Sequence, residues 1–436
     1  MVRRRVRRVR RASLVALAAA LVLGLAGCGG DDDDASQDVV GAPAAPSSTA
    51  LTAVQQRAQE QRILDQRARA VREGDLGLFL RRVDRGDPAL VDRQTRYFRN
   101  LVQLPLERFE YAVLDRDWDA RLLPRWGEGA RVPQVRLRMQ LRDYDARPVD
   151  RTVGFVFAWR GDRARIVSDR DGTGRPLFEG APAPWDLTAV RVRERPGVLG
   201  VFDTTTVDQA PAVMGAVERG IGEVDATVPF TWAGEVVVYH VRDAAVLESF
   251  TDVPGGSIDL LGAMTFPTYS QPTVSPVAST RMLVLDGSVA AGQPFLGRIV
   301  RHELTHVALG TRDDGAPVWL TEGLAEWVGA RSVPVEQRII PTSAVDRARG
   351  GDAALPASRE FNGPEQEWHY ALSWMACDYL ASTQGEEVLW RLVDAMHAEG
   401  RGTDDDEQDA VLQRVVGMDS AELAQRAAAR IRNLYG

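Results

Sequence analysis

The chain contains five histidines, and two of them, His302 and His306, stand four residues apart around Glu303 in the stretch HELTH. Positions i and i+4 share one face of a helix, so both imidazoles can address a single ion. Glu303, one step around the helix, can reach a water on that ion without occupying a ligand position. The chemistry available to such a set is hydrolysis, with the ion acidifying the water and the carboxylate taking its proton. Two histidines do not complete a site, and spacing offers two candidates for a third ligand. Asp313 follows His306 by seven residues, just beyond Gly310, and Glu322 follows it by sixteen, inside VWLTEGLAEW. Glu326 lies one turn after Glu322 on the same helical face. Two acids at that spacing cost a few tenths of a kcal/mol in solvent, which a nearby cation would reverse. Glu326 is placed to accept a hydrogen bond from a ligand histidine and so fix its ring.

Each candidate resembles a different family. HELTHVALGTRDD is one residue off the metzincin pattern, in which a glycine turn delivers the third ligand. HELTH with Trp319-Leu320-Thr321-Glu322-Gly323 downstream resembles the gluzincins, the thermolysin-like and aminopeptidase-N-like zinc peptidases. That resemblance implies one Zn²⁺ ion held by His302, His306 and Glu322, with Glu303 as general base. It also implies a zincin-like fold: a small sheet, an active-site helix and a helical C-terminal half. In HYALSWMACDYL, two tyrosines nine apart match the aminopeptidase-N helix whose first tyrosine stabilises the oxyanion, which implies that role for Tyr370. Thermolysin-like enzymes use a histidine there, so His369 is a second candidate. The spacing from His306 to Glu322 is three residues shorter than in aminopeptidase-N relatives, implying a tighter loop. Aminopeptidases bind the substrate amine through a glutamate in a GxMEN stretch; the nearest match here is GAMTF, with Thr265 in that place. The resemblance implies a zinc metallopeptidase acting on a peptide or protein, and the departure at Thr265 points to an endopeptidase or a very narrow enzyme. The alternative from another class is a non-catalytic envelope lipoprotein whose peptidase-like domain serves as a binding scaffold. His240, in EVVVYHVRD, reads as packing, and His397, near a helix end, as exposed.

The rest of the chain must place these residues. Residues 1–27 read as an export signal: seven arginines and no acid, then an apolar stretch too short to span a bilayer comfortably. Leu25-Ala26-Gly27-Cys28 resembles the lipobox of bacterial lipoproteins, which implies lipidation of Cys28 and anchoring to the outer face of the cell membrane. Residues 28–50, GGDDDD and onward, read as a disordered tether. Loss of residues 1–27 takes seven positive charges from a net charge of −8 and leaves −15, which argues against a nucleic-acid partner. Cys28 and Cys377 are the two cysteines, so a lipidated Cys28 precludes an internal disulfide.

Residues 51–186 open with helical spacing at Val54, Ala58, Leu64, Ala68 and Val71, stopped by Gly74. Asp75 and Asp87-Pro88 mark two further helix starts. The period then becomes two, as in Val135, Leu137, Met139 and Leu141 against Arg136, Arg138, Gln140 and Arg142, predicting half-buried antiparallel strands. Helices followed by a curved antiparallel sheet resemble the NTF2-like cone. Residues 187–436 alternate strand-like and helix-like segments and end in an all-helical tail, so the whole is expected to be α+β. Trp319, Leu324 and Trp327 read as core, and Gly323 as a close helix approach.

Overall fold

The computed structural model describes residues 51–436 apart from 120–125, 127–128, 251–257, 259–260, 272–275 and 400–404, and describes only the backbone of 405–406. The leader, Cys28 and the tether lie outside these residues. The stop at Gly74 and the starts at Asp75 and Asp87-Pro88 fall where the sequence put them. α1 (Ala53–Glu73) starts with a reciprocal cap between Thr52 and Gln55 and stops at Gly74, whose φ is 69°. α2 (Leu76–Leu80) is capped by Asp75, which accepts from the Leu78 amide at 2.8 Å. α3 (Pro88–Leu101) is capped by Asp87 and has Pro88 at its first position.

Strands β1 (Leu106–Asp117), β2 (Pro133–Leu141), β3 (Val149–Gly154), β4 (Val156–Arg160), β5 (Arg163–Ser168) and β6 (Phe178–Glu179) follow. β1, β2, β3 and β6 form one antiparallel sheet in that order, and β4 pairs with β5. In β2 the alternation holds: Val135, Leu137, Met139 and Leu141 are buried, while Arg138 turns outward to Asp150 at 2.7 Å.

The second half supplies α4 (Pro184–Leu187), β7 (Val190–Arg195), β8 (Val198–Asp203), α5 (Ala210–Asp225), β9 (Val236–His240), α6 (Ala244–Leu247), β10 (Ala263–Tyr269) and β11 (Val277–Val284). Its five-stranded sheet has the order β10-β11-β9-β8-β7. β9 runs parallel to both neighbours, and the edge strands β7 and β10 run antiparallel to theirs. Helices complete the chain: α7 (Asp286–Ala291), α8 (Phe295–Leu309), α9 (Thr311–Gly315), α10 (Val318–Ala330), α11 (Thr342–Arg349), α12 (Gln366–Gln384), α13 (Glu387–Ala398), α14 (Asp405–Val416) and α15 (Ser420–Tyr435). The fold is α+β, with the strands concentrated before the helical half.

The five-stranded sheet is buried on both faces, which is why its inner strands read as continuous apolar runs. Val198, Phe202, Val236, Val238, Met282 and Val284 join the core of the helical half. Their alternates Leu199, Val201, Val237, Tyr239 and Leu283 join a second core with Leu64, Phe79, Phe109 and Leu137. That second core runs unbroken across the expected boundary between residues 186 and 187, and the described residues form one compact body. A buried ion pair between Arg281 on β11 and Asp145 adds a polar tie across the same contact.

Candidate metal centre

Three helices meet at the site because two glycines let them. A Cβ on Gly329 of α10 would stand 2.9 Å from the Arg298 carbonyl of α8. One on Gly323 would stand 2.5 Å from the Ser373 carbonyl of α12, so α10 slots between the two helices as expected of that glycine. Trp319, Leu324 and Trp327 are core, also as expected. On its other side α8 packs Val300 and Leu304 against Gly220 of α5. The opposite face of α8 is left to present His302 and His306 toward α10.

There the donor atoms converge. His302 Nε2 and His306 Nε2 lie 3.3 Å apart, and Glu322 Oε2 stands 3.2 Å from the first and 3.5 Å from the second. A tetrahedral zinc site with bonds of about 2.0–2.1 Å has donor atoms roughly 3.3–3.4 Å apart, so this triangle has the size of one face of such a site. Glu322 Oε2 is buried and accepts no hydrogen bond among the described residues, an arrangement that a cation would satisfy. Among the described residues, these three form the group of His, Cys, Asp or Glu side chains able to hold one ion. The donor set of two imidazoles and one carboxylate suits zinc.

Both imidazoles are held from behind by carboxylates. His302 Nδ1 stands 3.2 Å from Glu326 Oε1, and Glu326 is paired in turn with Arg298. His306 Nδ1 stands 2.8 Å from Asp313 Oδ1. Asp313, one of the two candidate ligands, is thus placed on the far nitrogen of His306, while Glu322 faces the near ones. Gly310, at φ 58° and ψ −126°, makes the turn between α8 and α9 that puts Asp313 there.

Burial opposes charge on every one of these groups, and the local pairs decide the outcome. Burial would lower His302, but Glu322 and Glu326 raise it to about 9. His306 is raised well above its ordinary value by Asp313 and Glu322 against the same burial. Burial would raise both acids, yet the histidines hold Glu322 far down, and Arg298 with His302 holds Glu326 at about 2. Glu303 goes the other way. Burial raises it, only partly offset by His302, His306 and the hydroxyl of Thr265 on β10.

The two oxyanion candidates part company. Tyr370 on α12 lies against the cluster: its ring centroid is 6.3 Å from that of His302, and burial with the charges of Glu322, Glu326 and Glu303 pushes its hydroxyl up strongly. His369 has its Nδ1 2.8 Å from the Phe361 carbonyl, which leaves Nε2 as the nitrogen that could serve a substrate. His240 is buried, bonded to Val284 and Gln209, a packing residue as expected. His397 departs from expectation. It is half-buried rather than exposed, its ring packed so close to Gly315 that a Cβ there would come within 2.1 Å of Nδ1. Sequence reasoning had not singled out Arg298, although it sits four residues before His302 on the same helical face.

No family model matches the chain, and comparison with curated proteins returns no match. Among solved structures it aligns with an M1 zinc metallopeptidase from Deinococcus radiodurans at 13% identity and a TM-score of 0.29, covering 65% of this chain and 56% of that one. A two-domain M1 zinc metallopeptidase mutant bound to L-arginine aligns at 11% identity and a TM-score of 0.28, covering 76% and 94%. A mutant from Deinococcus radiodurans bound to a Tyr-Ser-Ala substrate aligns at 12% and 0.28, covering 70% and 91%. The chain thus spans little more than half the length of the first of these. Likeness at this level does not place the chain in a family, and the functional reading stands on the site.

Proposed function

We propose that the chain is a zinc-dependent peptidase that cuts internal peptide bonds outside the cytoplasm, held at the membrane by lipid on Cys28. The observation that carries the hydrolytic reading is the triangle of His302 Nε2, His306 Nε2 and Glu322 Oε2, with donors 3.2–3.5 Å apart. A bound zinc ion would polarise the scissile carbonyl and lower the pKa of a coordinated water to near 7.

The chain's own residues do the rest. Glu303 takes the attacking water's proton on its carboxylate and gives it to the leaving nitrogen; the burial that raises its pKa suits a group that must hold that proton in transit. The Tyr370 hydroxyl donates to the carbonyl oxygen as charge builds, a contribution of about 3 kcal/mol for one such donor. Thr265 offers no carboxylate to a substrate amine, which favours cleavage away from the N-terminus. Glu326 and Asp313 hold the two imidazoles with Nε2 forward.

Glu303→Gln tests the reading. The variant should fold, bind zinc as the parent does and lose peptide cleavage by about 10²–10⁴-fold. Unchanged biological activity of that variant in cells would favour the scaffold alternative. Loss of zinc in it would mean that Glu303 is a ligand and that the assignment is wrong.

A further inference from the structure

Away from the metal centre, the N-terminal half forms a half-open cavity of about 120 Å³ between α3, strands β1 to β3 and the loop before β6. Its walls carry four arginines, Arg93, Arg96, Arg151 and Arg170, and only two acids, Asp169 and Asp186. Both acids are already engaged. Asp169 accepts from Arg93 Nη2 on Oδ1 at 2.7 Å, from Arg93 Nε on Oδ2 at 3.3 Å and from Gln94 on Oδ2 at 2.8 Å. Asp186 takes a forked pair from Arg151. Arg96 and Arg170 have no carboxylate within ion-pair distance among the described residues; Arg170 bonds only the Gly174 carbonyl.

Two guanidinium groups without a carboxylate partner thus face one half-open cleft and make it a place of positive potential suited to an anion. Arg96 is half-buried, and desolvation together with Arg170 and Arg93 disfavours its charge, with Asp243 and Asp169 offsetting this only at longer range. Tyr111, 5% exposed, also lines the cavity; its hydroxyl interacts with Tyr97 and Arg67 but makes no well-formed hydrogen bond among the described residues. Leu137, Phe155 and Leu177 provide an apolar wall.

We infer that this cavity binds a small organic anion, its carboxylate held by Arg96 and Arg170 with Tyr111 as donor, and its compact apolar body against Leu137, Phe155 and Leu177. Guanidinium groups hold carboxylates through paired N–H donors. A protein cavity of about 150 Å³ takes benzene, so a body of about one ring suits this space. The inference is independent of the peptidase reading, because none of these residues belongs to the metal centre.

Calorimetric titration of the purified protein with benzoate, its neutral isostere benzamide and inorganic phosphate tests it. Benzoate should bind saturably, with benzamide and phosphate each weaker by about tenfold or more. Arg96→Gln and Arg170→Gln should each weaken benzoate by a similar factor, and Arg163→Gln, on an exposed position of β5, should leave it unchanged. Arg170 lies on a loop, so its variant decides the matter should Arg96→Gln fail to fold. No saturable benzoate binding up to about 10 mM, or equal binding of benzamide, or parent-like affinity in the folded variants, would overturn the inference. Phosphate binding tighter than benzoate would overturn the organic body of the ligand.

Discussion

Asp313 Oδ1 lies 2.8 Å from Nδ1 of His306, on the opposite side of the ring from Glu322 Oε2, which stands 3.5 Å from Nε2. One carboxylate orients the imidazole and the other faces the place where an ion would sit. The two acids should therefore respond differently to removal. Glu322→Ala should abolish stoichiometric zinc, while Asp313→Ala should weaken it by about 10–100-fold, as for partners of ligand histidines in general. Competition with a chromophoric chelator measures both. Retained zinc in Glu322→Ala with complete loss in Asp313→Ala would reverse the two roles.

Glu326 and Arg298 form the matching support behind His302. Glu326→Gln keeps an acceptor for Nδ1 but removes the charge, and should cost less zinc affinity than Glu326→Ala, which by the same logic costs about 10–100-fold. Equal losses in the two variants would show that charge alone, and not the bond to Nδ1, is what Glu326 supplies.

Metal uptake should release protons. Without an ion, carboxylate neighbours keep His302 protonated up to about 9 and His306 beyond its ordinary range. Zinc requires both imidazoles neutral. At pH 7 binding should thus expel at least one proton per ion, and apparent affinity should rise as pH rises toward 9, by about tenfold per unit for each proton expelled. Calorimetry in buffers of different ionisation enthalpy counts the protons; a count near zero would contradict the pairing described above.

Gly323 tests the packing that brings the helices together. In an exposed helix, Gly→Ala stabilises by about 1 kcal/mol. Here the added methyl would overlap the Ser373 carbonyl of α12 at 2.5 Å, and such overpacking costs about 1–3 kcal/mol or more. Gly323→Ala should therefore lower Tm and weaken zinc binding together. A raised Tm would mean that α10 and α12 do not approach as closely as described.

Much of this was legible in the sequence, and the reasons differ by residue. Asp75, Asp87-Pro88 and Gly74 act within one turn of chain, so their caps could be read directly, while the cap of Thr52 on Gln55 was missed. HELTH set two donors on one face for the same reason. The position of Asp313 was harder, because its distance in sequence allows either nitrogen of His306. The turn at Gly310 decides which, through a backbone conformation that sequence spacing does not encode. His397 was misjudged as exposed because its cover, α9, comes from far earlier in the chain. The runs VVVY and VLGVF read as strands, but nothing local to them says which segment would cover the second face of their sheet. Residues from α1, α2, β1 and β2 supply that cover.

The central claim is that two imidazoles from α8 and one carboxylate from α10 grip a single zinc ion. X-ray absorption at the zinc edge on the purified protein tests it most directly. The account predicts one zinc per chain with a first shell of nitrogen and oxygen near 2.0–2.1 Å and no sulfur. A zinc-free protein, or a shell containing sulfur near 2.3 Å, would contradict it.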